Sequence, residues 1–394
     1  MAVRALENPS ASLELDLEAH RRALTGYCYR MLGSGSEAED AVQETMVRAW
    51  RSADRLQARA ALKSWLYRIA GNVCVDMLRG PQRRALPMDM GPASPAGGAL
   101  GAGLPEHAWV QPIADARILD DDADPAQIAE GRETLRLAFI AALQHLPPRQ
   151  RAVLILREVL RWQATEVAEL LDTSVASVNS ALQRARATLA SLDLDAASGP
   201  PAVDATQKEL LSRYVDAFER YDISALVALL HEDATFSMPP FALWLRGRTA
   251  VAEFMLGTGA HCEGSRLVVT AANGGPAVGV YHPTDGTVWE PWAVVVVEVS
   301  PEGITGLHHF LYPELFAAFG LPPRLEAEEP HQADQLEQLV DAGPGAPLVP
   351  AQQRRDRPDV VAHLLVGEQA DLLDDVADPA AQLHPVHRGD VLAL

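Results

Sequence analysis

The sequence predicts a multidomain protein in which two all-α segments are followed by an α+β domain. Its 394 residues are enough to build two or three hydrophobic cores. Apolar residues keep helical spacing over residues 13–84 and 130–192, whereas residues 205–323 mix helical and strand patterns. Residues 85–128 are rich in Pro, Gly, Ala and Asp, which predicts a flexible linker. The acidic, Pro-rich residues 326–394 predict a poorly ordered extension.

Charge is distributed unevenly along the chain. The net charge is −20, but residues 1–200 carry 22 Lys and Arg against 25 Asp and Glu, while residues 201–394 carry 11 against 28. Basic residues cluster at 68–84 and 184–186. Because local patches govern phosphate binding, the acidic total does not exclude a nucleic-acid partner.

The cysteines and the apolar runs limit the class of protein. Cys28, Cys74 and Cys262 are far apart in sequence, which is typical of reduced core residues rather than of a disulfide or zinc site. We therefore expect no metal and no cofactor. The sequence contains neither a signal-peptide pattern nor an apolar run of about eighteen residues, so it predicts a cytoplasmic protein without membrane contact.

The first helical segment combines an apolar side with a polar stripe. Leu24 and Met31 keep helical spacing until Gly33, and Ser36 with Glu39 predicts a capping box for the next helix. The third helix has its apolar side at Leu62, Leu66, Ile69, Val73 and Met77. Its polar stripe consists of Arg68, Asn72, Asp76 and Arg79. Spacing alone leaves two interpretations open, a DNA-contacting face and a solvated face, and favours the second.

The second helical segment contains a helix-turn-helix pattern. Residues 165–171 and 174–189 are predicted as two helices joined at Asp172-Thr173. No acidic residue lies between Thr173 and Ala190, so the second helix offers donors and positive charge to base edges and phosphates. Its polar residues are Ser174, Ser177, Asn179, Ser180, Gln183, Arg184 and Arg186. The pattern by itself fits an ordinary helical hairpin equally well.

Together these segments resemble the sigma-70 family of bacterial transcription initiation factors. Residues 37–50 (EAEDAVQETMVRAW) and 64–79 (SWLYRIAGNVCVDMLR) are similar to region 2 of that family. Residues 146–154 (LPPRQRAVL) through 179–186 (NSALQRAR) are similar to region 4. The short linker, without region 1.1 or a full region 3, indicates the extracytoplasmic-function group.

The resemblance implies two partners, the RNA polymerase core with its beta and beta-prime subunits, and promoter DNA. The residues implied to bind the core are Asp40, Gln43, Glu44, Arg48 and Trp50. Those implied to engage the −10 element are Arg55, Arg59, Lys63, Arg68, Asn72, Asp76, Arg79 and Arg83. The polar residues of the helix-turn-helix are implied to read the −35 element. The acidic linker, including Asp120–Asp124, is implied to follow the RNA exit path.

Two positions depart from the family pattern. Asp172 stands in the turn where many relatives carry Gly, and Arg161 stands at another position where Gly is common. Asp tolerates the left-handed backbone conformation better than most residues, so we expect the turn to form.

The C-terminal segment predicts helices followed by a curved antiparallel sheet. The predicted strands are 234–238, 266–271, 277–281, 292–299 and 304–312, with a turn at 283–286. Residues 214–222 and 230–240 resemble the SnoaL-like family, which implies a cone-shaped α+β domain that in some members holds a small molecule or is enzymatic. The residues proposed for such a ligand pocket are Met238, Trp244, Trp289 and Trp292.

The polar residues of this domain allow functional and structural interpretations. The candidate groups are His231, Asp233, His261, Glu290, His308 and His309. His231 and Asp233 also suit a simple cap of the helix-to-strand turn, which the sequence favours. His308 and His309 are neighbours on a strand and therefore face opposite sides, so they cannot share a metal.

The favoured function is transcription initiation, modulated by the C-terminal domain through contacts with the sigma regions or the core, or through a small-molecule ligand or a regulatory protein. A repressor or activator that uses only the helix-turn-helix would leave the 37–79 block unexplained. The remaining alternative is a ligand-binding or enzymatic domain fused to a DNA-binding module, although no nucleophile–base arrangement is visible in the sequence.

Overall fold

A computed structural model of the chain describes residues 9–56, 59–79, 83–98, 100–120, 124–192 and 205–327. All of them lie within one compact unit. The predicted extension, from residue 328 onward, lies outside the described residues, as do Asp121 and Asp122 of the acidic run. Across the described ranges, no helix has both the length and the apolar character needed to cross a membrane.

The first helical module consists of α1 (Pro9–Glu18), α2 (Arg21–Leu32), α3 (Gly35–Arg51) and α4 (Leu62–Met77). Leu24, Val42 and Leu66 meet in its core, as their helical spacing requires. Tyr27 and Tyr67 pack edge to face with ring centroids 5.3 Å apart.

The cap of α3 differs from the predicted one. Gly33 ends α2 in the left-handed conformation with φ of 72°, so only Ser34 remains to connect the two helices. The Ser34 side chain accepts a hydrogen bond from the Glu37 amide at 3.4 Å. The capping box predicted at Ser36 is therefore wrong by two residues, because the sequence pattern did not fix where α2 stops.

The connecting segment, residues 83–120, corrects the prediction of a flexible linker over 85–128. Trp109 is fully buried in the main hydrophobic core, and Ile113 is buried with it. The buried Arg84 guanidinium donates to the Trp109 carbonyl at 2.9 Å and pairs with Glu37. Composition suggested flexibility, but a few large apolar side chains are enough to pack this segment against the first module.

The second helical module consists of α5 (Pro125–Glu133), α6 (Leu137–Leu143), α7 (Pro148–Leu154), α8 (Ala164–Leu170) and α9 (Val175–Ala190). The helix that begins at Pro148 widens into a π-helical turn at Ile155–Val159. Arg161 then takes a left-handed conformation with φ of 58°, and the Trp162 amide bonds back to the Leu156 carbonyl at 2.9 Å. This bend directs α8 towards the first module.

The C-terminal domain has four helices, α10 (Ala205–Glu219), α11 (Ile223–Ala228), α12 (Arg248–Leu256) and α13 (Leu315–Ala318). Its strands are β1 (Leu230–Ser237), β2 (Trp244–Arg246), β3 (Arg266–Ala272), β4 (Gly275–Pro283), β5 (Val288–Ser300), β6 (Gly303–Phe310) and β7 (Leu325–Glu326). The Asp222 side chain caps α11 by accepting from the Ala225 amide at 2.9 Å, as is common for Asp at this position.

The strands form one sheet in the order β2-β1-β6-β5-β4-β3, with β7 added beside β5. The sheet was predicted as antiparallel, but β1 runs parallel to β6 and the sheet is mixed. The chain leaves β1, passes through α12 and starts again at the opposite edge with β3. Because β3 to β6 then form a meander, β6 returns beside β1 in the same direction. One sheet face packs against α10–α12 and forms a separate core.

Arg151 joins the two helical modules at a buried position. The side chain is 4% exposed and donates to the Met31 carbonyl at the end of α2. Its Nη1 also reaches the Gln144 side chain at 2.7 Å, and its Nη2 donates to the Gln144 and Leu146 carbonyls. Burial lowers the pKa of this guanidinium to about 10, so it remains charged at neutral pH.

We expect Arg151→Met to lower the free energy of unfolding by about 3 kcal/mol or more, because buried carbonyl oxygens lose their partners. Urea denaturation followed by circular dichroism measures this. The exposed Arg149→Met is the matched control and should change stability by less than about 0.5 kcal/mol. An unchanged midpoint for Arg151→Met would contradict the role given to this side chain.

Candidate nucleic-acid interface

The second helix of the helix-turn-helix, α9, is positioned by its own sequence. Ser174 is the N-cap, and its hydroxyl accepts from the Ser177 amide at 3.1 Å. Asp172 in the preceding turn has φ of 48°, the left-handed conformation that the sequence predicts for this position. Val178 and Leu182 are buried, so the opposite side of α9 is fixed outward.

The outward side of α9 is the face that the sequence proposed for DNA. All seven predicted residues are exposed: Ser174, Ser177, Asn179, Ser180, Gln183, Arg184 and Arg186. Arg186 pairs with Glu158 at 2.7 Å, whereas the Arg184 side chain projects from an acid-free helix. The N-terminal part of this face offers hydroxyl and amide groups, and the later part offers positive charge.

The exposed side of α3 carries the residues proposed to bind the polymerase core. Asp40, Gln43, Glu44, Arg48 and Trp50 are all exposed, and Trp50 is 58% exposed. Most large apolar side chains in the described part of the chain are buried. An exposed indole beside polar groups is the composition of a binding hot spot.

An ion-pair network links α3 with the polar stripe of α4. Arg48 bonds to Glu44 at 2.6 Å and lies 3.8 Å from an Asp76 carboxylate oxygen, which in turn faces Arg79 at 3.4 Å. All four side chains are substantially exposed, so the network contributes little to stability. It holds the proposed core-binding and −10 residues in a common orientation.

The stripe on α4 is partly covered by the second module. Lys63 places its ammonium 5.5 Å from the Trp162 ring centroid, and the Tyr67 ring lies 5.1 Å from the same ring. Arg68 donates to the Glu169 carbonyl of α8 at 2.8 Å. Two of the residues proposed for the −10 element are therefore engaged within the chain. Lys63 and Arg68 stay exposed despite these contacts, as do Asn72 and Arg79.

The remaining residues proposed for the −10 element are Arg55, Arg59 and Arg83. Arg83 is exposed and its guanidinium lies 2.7 Å from the His145 ring nitrogen Nδ1. Partial burial and the positive charge of Arg83 lower the pKa of His145, which favours the neutral imidazole as acceptor. The backbones of Arg55 and Arg59 lie in short helical turns, but their side chains lie outside the described residues.

The C-terminal domain contacts both helical modules through the β3–β4 turn, Asn273-Gly274. The Asn273 amide nitrogen donates to the Tyr29 hydroxyl at 2.6 Å and to the Leu135 carbonyl at 2.7 Å. Tyr29 in turn donates to the Gln111 carbonyl at 2.8 Å. This turn was not predicted from the sequence, although an Asn-Gly pair between two strand-like runs is a strong hairpin signal.

The connecting segment also lies against the C-terminal domain. Trp244 donates through its indole N–H to the Gly91 carbonyl at 2.9 Å, and its own carbonyl accepts from the Ser94 amide at 2.7 Å. The Leu104 amide bonds to the Pro240 carbonyl at 2.9 Å. Leu100 packs against the core of the C-terminal domain. The segment predicted to follow the RNA exit path is thus held by the C-terminal domain.

The four residues proposed for a ligand pocket do not come together. Met238 and Trp292 belong to the inner core of the C-terminal domain, whereas Trp289 belongs to the other hydrophobic cluster. Trp244 is committed to the connecting segment. The single-pocket prediction is wrong, because these residues lie on different faces of a sheet whose register a bulge in β5 shifts.

The candidate titratable groups are likewise divided. His308 bonds to the Ser237 hydroxyl at 2.9 Å and lies 3.6 Å from Glu298, whereas His309 packs against Phe236 on the opposite face. Burial and the neighbouring His308 lower the pKa of His309 to about 3. His231 accepts from the Asp233 amide at 3.2 Å, but both residues lie within β1 rather than in the helix-to-strand turn that the sequence favoured. Among the described residues no cluster has the composition of a metal site.

Comparison with known proteins identifies three matching family models. They are Sigma-70 region 2 over residues 17–84, Sigma-70 region 4 over residues 136–189 and the SnoaL-like domain over residues 211–305. The ECF RNA polymerase sigma factor SigG of Mycobacterium tuberculosis is 43% identical over 312 residues, which covers 78% of this chain and 83% of that protein.

A second relative has a solved structure. The ECF RNA polymerase sigma factor SigJ of Mycobacterium tuberculosis is 30% identical over 248 residues, 61% of this chain and 72% of that protein. The crystal structure of SigJ covers 79% of this chain and 100% of its own, with a TM-score of 0.50 at 24% identity. The likeness extends through both helical modules and the C-terminal domain, so the overall fold is shared.

We expect Trp162→Ala to loosen the contact between α4 and α8, because Lys63 and Tyr67 both lose their aromatic partner. Hydrogen exchange of α4 and α8 amides should accelerate by roughly tenfold, since a buried aromatic side chain of this size contributes more than 1 kcal/mol. The control is Trp50→Ala, an exposed residue outside this contact. Equal exchange in both variants would contradict a specific α4–α8 contact.

Proposed function

The chain belongs to the extracytoplasmic-function RNA polymerase sigma factors, and from this premise we propose which residues carry the core to promoters and read the DNA. The observation that carries the proposal is the outward face of α9, whose seven polar residues are all exposed on a helix without an acidic side chain. A helix of this kind can enter the major groove with its N-terminal residues at the base edges.

Promoter recognition is divided between the two helical modules. In our proposal, Ser177, Asn179 and Ser180 read the −35 element, while Arg184 and Arg186 contact phosphates. The exposed Asn72 and Arg79 of α4 are available to the −10 element, and Lys63 and Arg68 join them after α4 separates from α8. Base contacts supply sequence discrimination, and phosphate contacts supply most of the salt-dependent affinity.

Binding to the core is assigned to the exposed side of α3. Trp50 supplies apolar area, and Asp40, Gln43, Glu44 and Arg48 surround it with polar groups. This division into an apolar centre and a polar rim is common at protein interfaces. Since the partner is the transcription machinery, the proposed site of action is the cytoplasm.

The C-terminal domain is proposed to modulate initiation rather than to catalyse a reaction. It holds the connecting segment at Gly91 and Leu104 and bonds to both helical modules through Asn273. A repressor that uses only the helix-turn-helix would not need the exposed face of α3. The polar groups considered for catalysis are distributed over opposite faces of the sheet, which argues against convergence on one substrate.

The proposed function is tested by run-off transcription with purified core polymerase and the full chain on a pool of genomic promoters. We expect transcripts that start at discrete positions and that require the chain. Labelled core in a binding assay provides the second readout. A folded chain that does not bind core would overturn the proposal.

We expect Arg184→Ala to weaken promoter binding at all sequences and to reduce the slope of log K against log salt by about one, because one phosphate contact is lost. Fluorescence anisotropy with a promoter fragment over a salt series measures the slope. Arg213→Ala, an exposed substitution on α10, is the control and should leave the slope unchanged. A base-specific loss for Arg184→Ala would instead assign this residue to readout.

We expect Trp50→Ala to weaken core binding by roughly 30-fold, the effect of losing an interface hot spot of about 2 kcal/mol. The affinity of the full chain for labelled core measures this. The melting temperature should stay close to that of the wild type, because Trp50 is 58% exposed. Wild-type affinity would place the core-binding surface elsewhere.

A further inference from the structure

We propose that the Asn273-Gly274 turn is a latch by which the C-terminal domain holds the two helical modules and the connecting segment in one closed arrangement. The inference rests on the proposed function, because in the closed arrangement Trp162 and Glu169 of the second module contact Lys63 and Arg68 of the proposed −10 surface. It names one contact that must break before the two helical modules can move apart.

The backbone of the turn packs closely against the Arg132 backbone of the second module. Asn273 and Gly274 have φ values of 55° and 80°, the consecutive left-handed conformations of a tight hairpin turn. A Cβ atom on Gly274 would lie 2.5 Å from the Arg132 carbonyl oxygen. Any larger residue would collide with the Arg132 backbone, so Gly274 allows the turn to pack directly against the second module.

One side chain bonds to three separate parts of the protein. The Asn273 amide nitrogen donates to Tyr29 of the first module and to the Leu135 carbonyl of the second. Its Oδ1 accepts from the Ile113 amide of the connecting segment at 3.1 Å. Both N–H donors and the oxygen are used, and Asn273 is 3% exposed.

The backbone of the turn adds further contacts to the connecting segment. The Asn273 amide donates to the Ile113 carbonyl at 3.1 Å, and the Gly274 amide donates to the Asp115 carboxylate at 2.7 Å. Ala272 and Ala114 form an isolated antiparallel bridge beside them. The hairpin therefore extends the sheet edge onto residues 113–115.

The chemistry of this contact suits a reversible latch. Hairpin turns usually lie in water, whereas this one is buried and bonded through polar groups. Such groups exchange partners with water at small net cost, unlike packed apolar surface. The polar contact is therefore specific to the closed arrangement, while apolar residues of the same sheet face, such as Ala272 and Phe310, belong to the main hydrophobic core and add to its stability.

Two substitutions separate the side-chain bonds from the turn itself. Asn273→Gly removes the amide but keeps the left-handed backbone, since glycine adopts it freely. Asn273→Asp keeps Oδ1 and places a second carboxylate oxygen against the Leu135 carbonyl. The control is Asp285→Gly, which removes comparable side-chain bonds to Thr287 and Val288 in the exposed turn at the other end of β4.

Hydrogen exchange with mass spectrometry on the full chain is the primary test. We expect both Asn273 variants to accelerate exchange in residues 109–119 and 131–137 by roughly tenfold or more, with Asp the larger effect, while β4–β6 keep their protection. Asp285→Gly should leave these peptides unchanged. The latch is overturned if residues 109–137 exchange as in the wild type, or if β4–β6 lose protection equally.

Run-off transcription with purified core is the second test. We expect Asn273→Gly to change the transcript yield several-fold relative to the wild type and Asp285→Gly. Faster exchange with an unchanged yield would overturn the regulatory role of the latch. If the wild type and the control give no promoter-specific transcripts, the proposed function fails, while the exchange data still decide whether the turn holds the closed arrangement.

Discussion

The hydroxyl of Tyr29 is a buried polar group, and its two hydrogen bonds join the first module to the connecting segment and to the C-terminal domain. It donates to the Gln111 carbonyl and accepts from Asn273. Burial raises the pKa of Tyr29 well above its usual range, which keeps the proton on the oxygen at every physiological pH. Because an unpaired buried hydroxyl costs free energy, removing one neighbour affects the whole set. The first module, the connecting segment and the C-terminal domain are thus interdependent at this point.

In the closed arrangement, two residues of the proposed −10 surface of α4 also have partners within the chain. In the closed chain, the Lys63 ammonium lies over the Trp162 ring, and Arg68 donates a single hydrogen bond to the Glu169 carbonyl. Both contacts use groups that nucleic acids also offer, an aromatic face and an oxygen acceptor. In the proposed function, the second module therefore competes with promoter DNA for Lys63 and Arg68 through similar chemistry.

The sequence predicted the helical elements and the family well, and both were confirmed, because helical spacing and the region 2 and region 4 motifs depend on local patterns. α4 lies at Leu62–Met77 as its apolar positions required, and the polar residues of α9 face outward because Val178 and Leu182 face inward. The packing of the connecting segment could not be predicted, because composition does not determine whether Trp109 is buried in a hydrophobic core. The parallel β1–β6 pair and the separation of Trp289 from Trp292 depend on strand order and on a bulge, which are non-local features. The assignment of individual residues to the core and to the promoter elements stays a prediction.

The contacts of Gly91, Ser94 and Leu104 with the C-terminal domain shorten the effective length of the chain between the two helical modules. A free chain of the length of residues 85–128 would have a root-mean-square end-to-end distance of about 35 Å, and it would sample a wide volume. In the structure, this chain is docked on the C-terminal domain at Gly91, Ser94 and Leu104. If the C-terminal domain modulates initiation as proposed, this docking limits how far apart the two modules can travel, and with it the range of spacings between DNA elements that a single molecule can bridge.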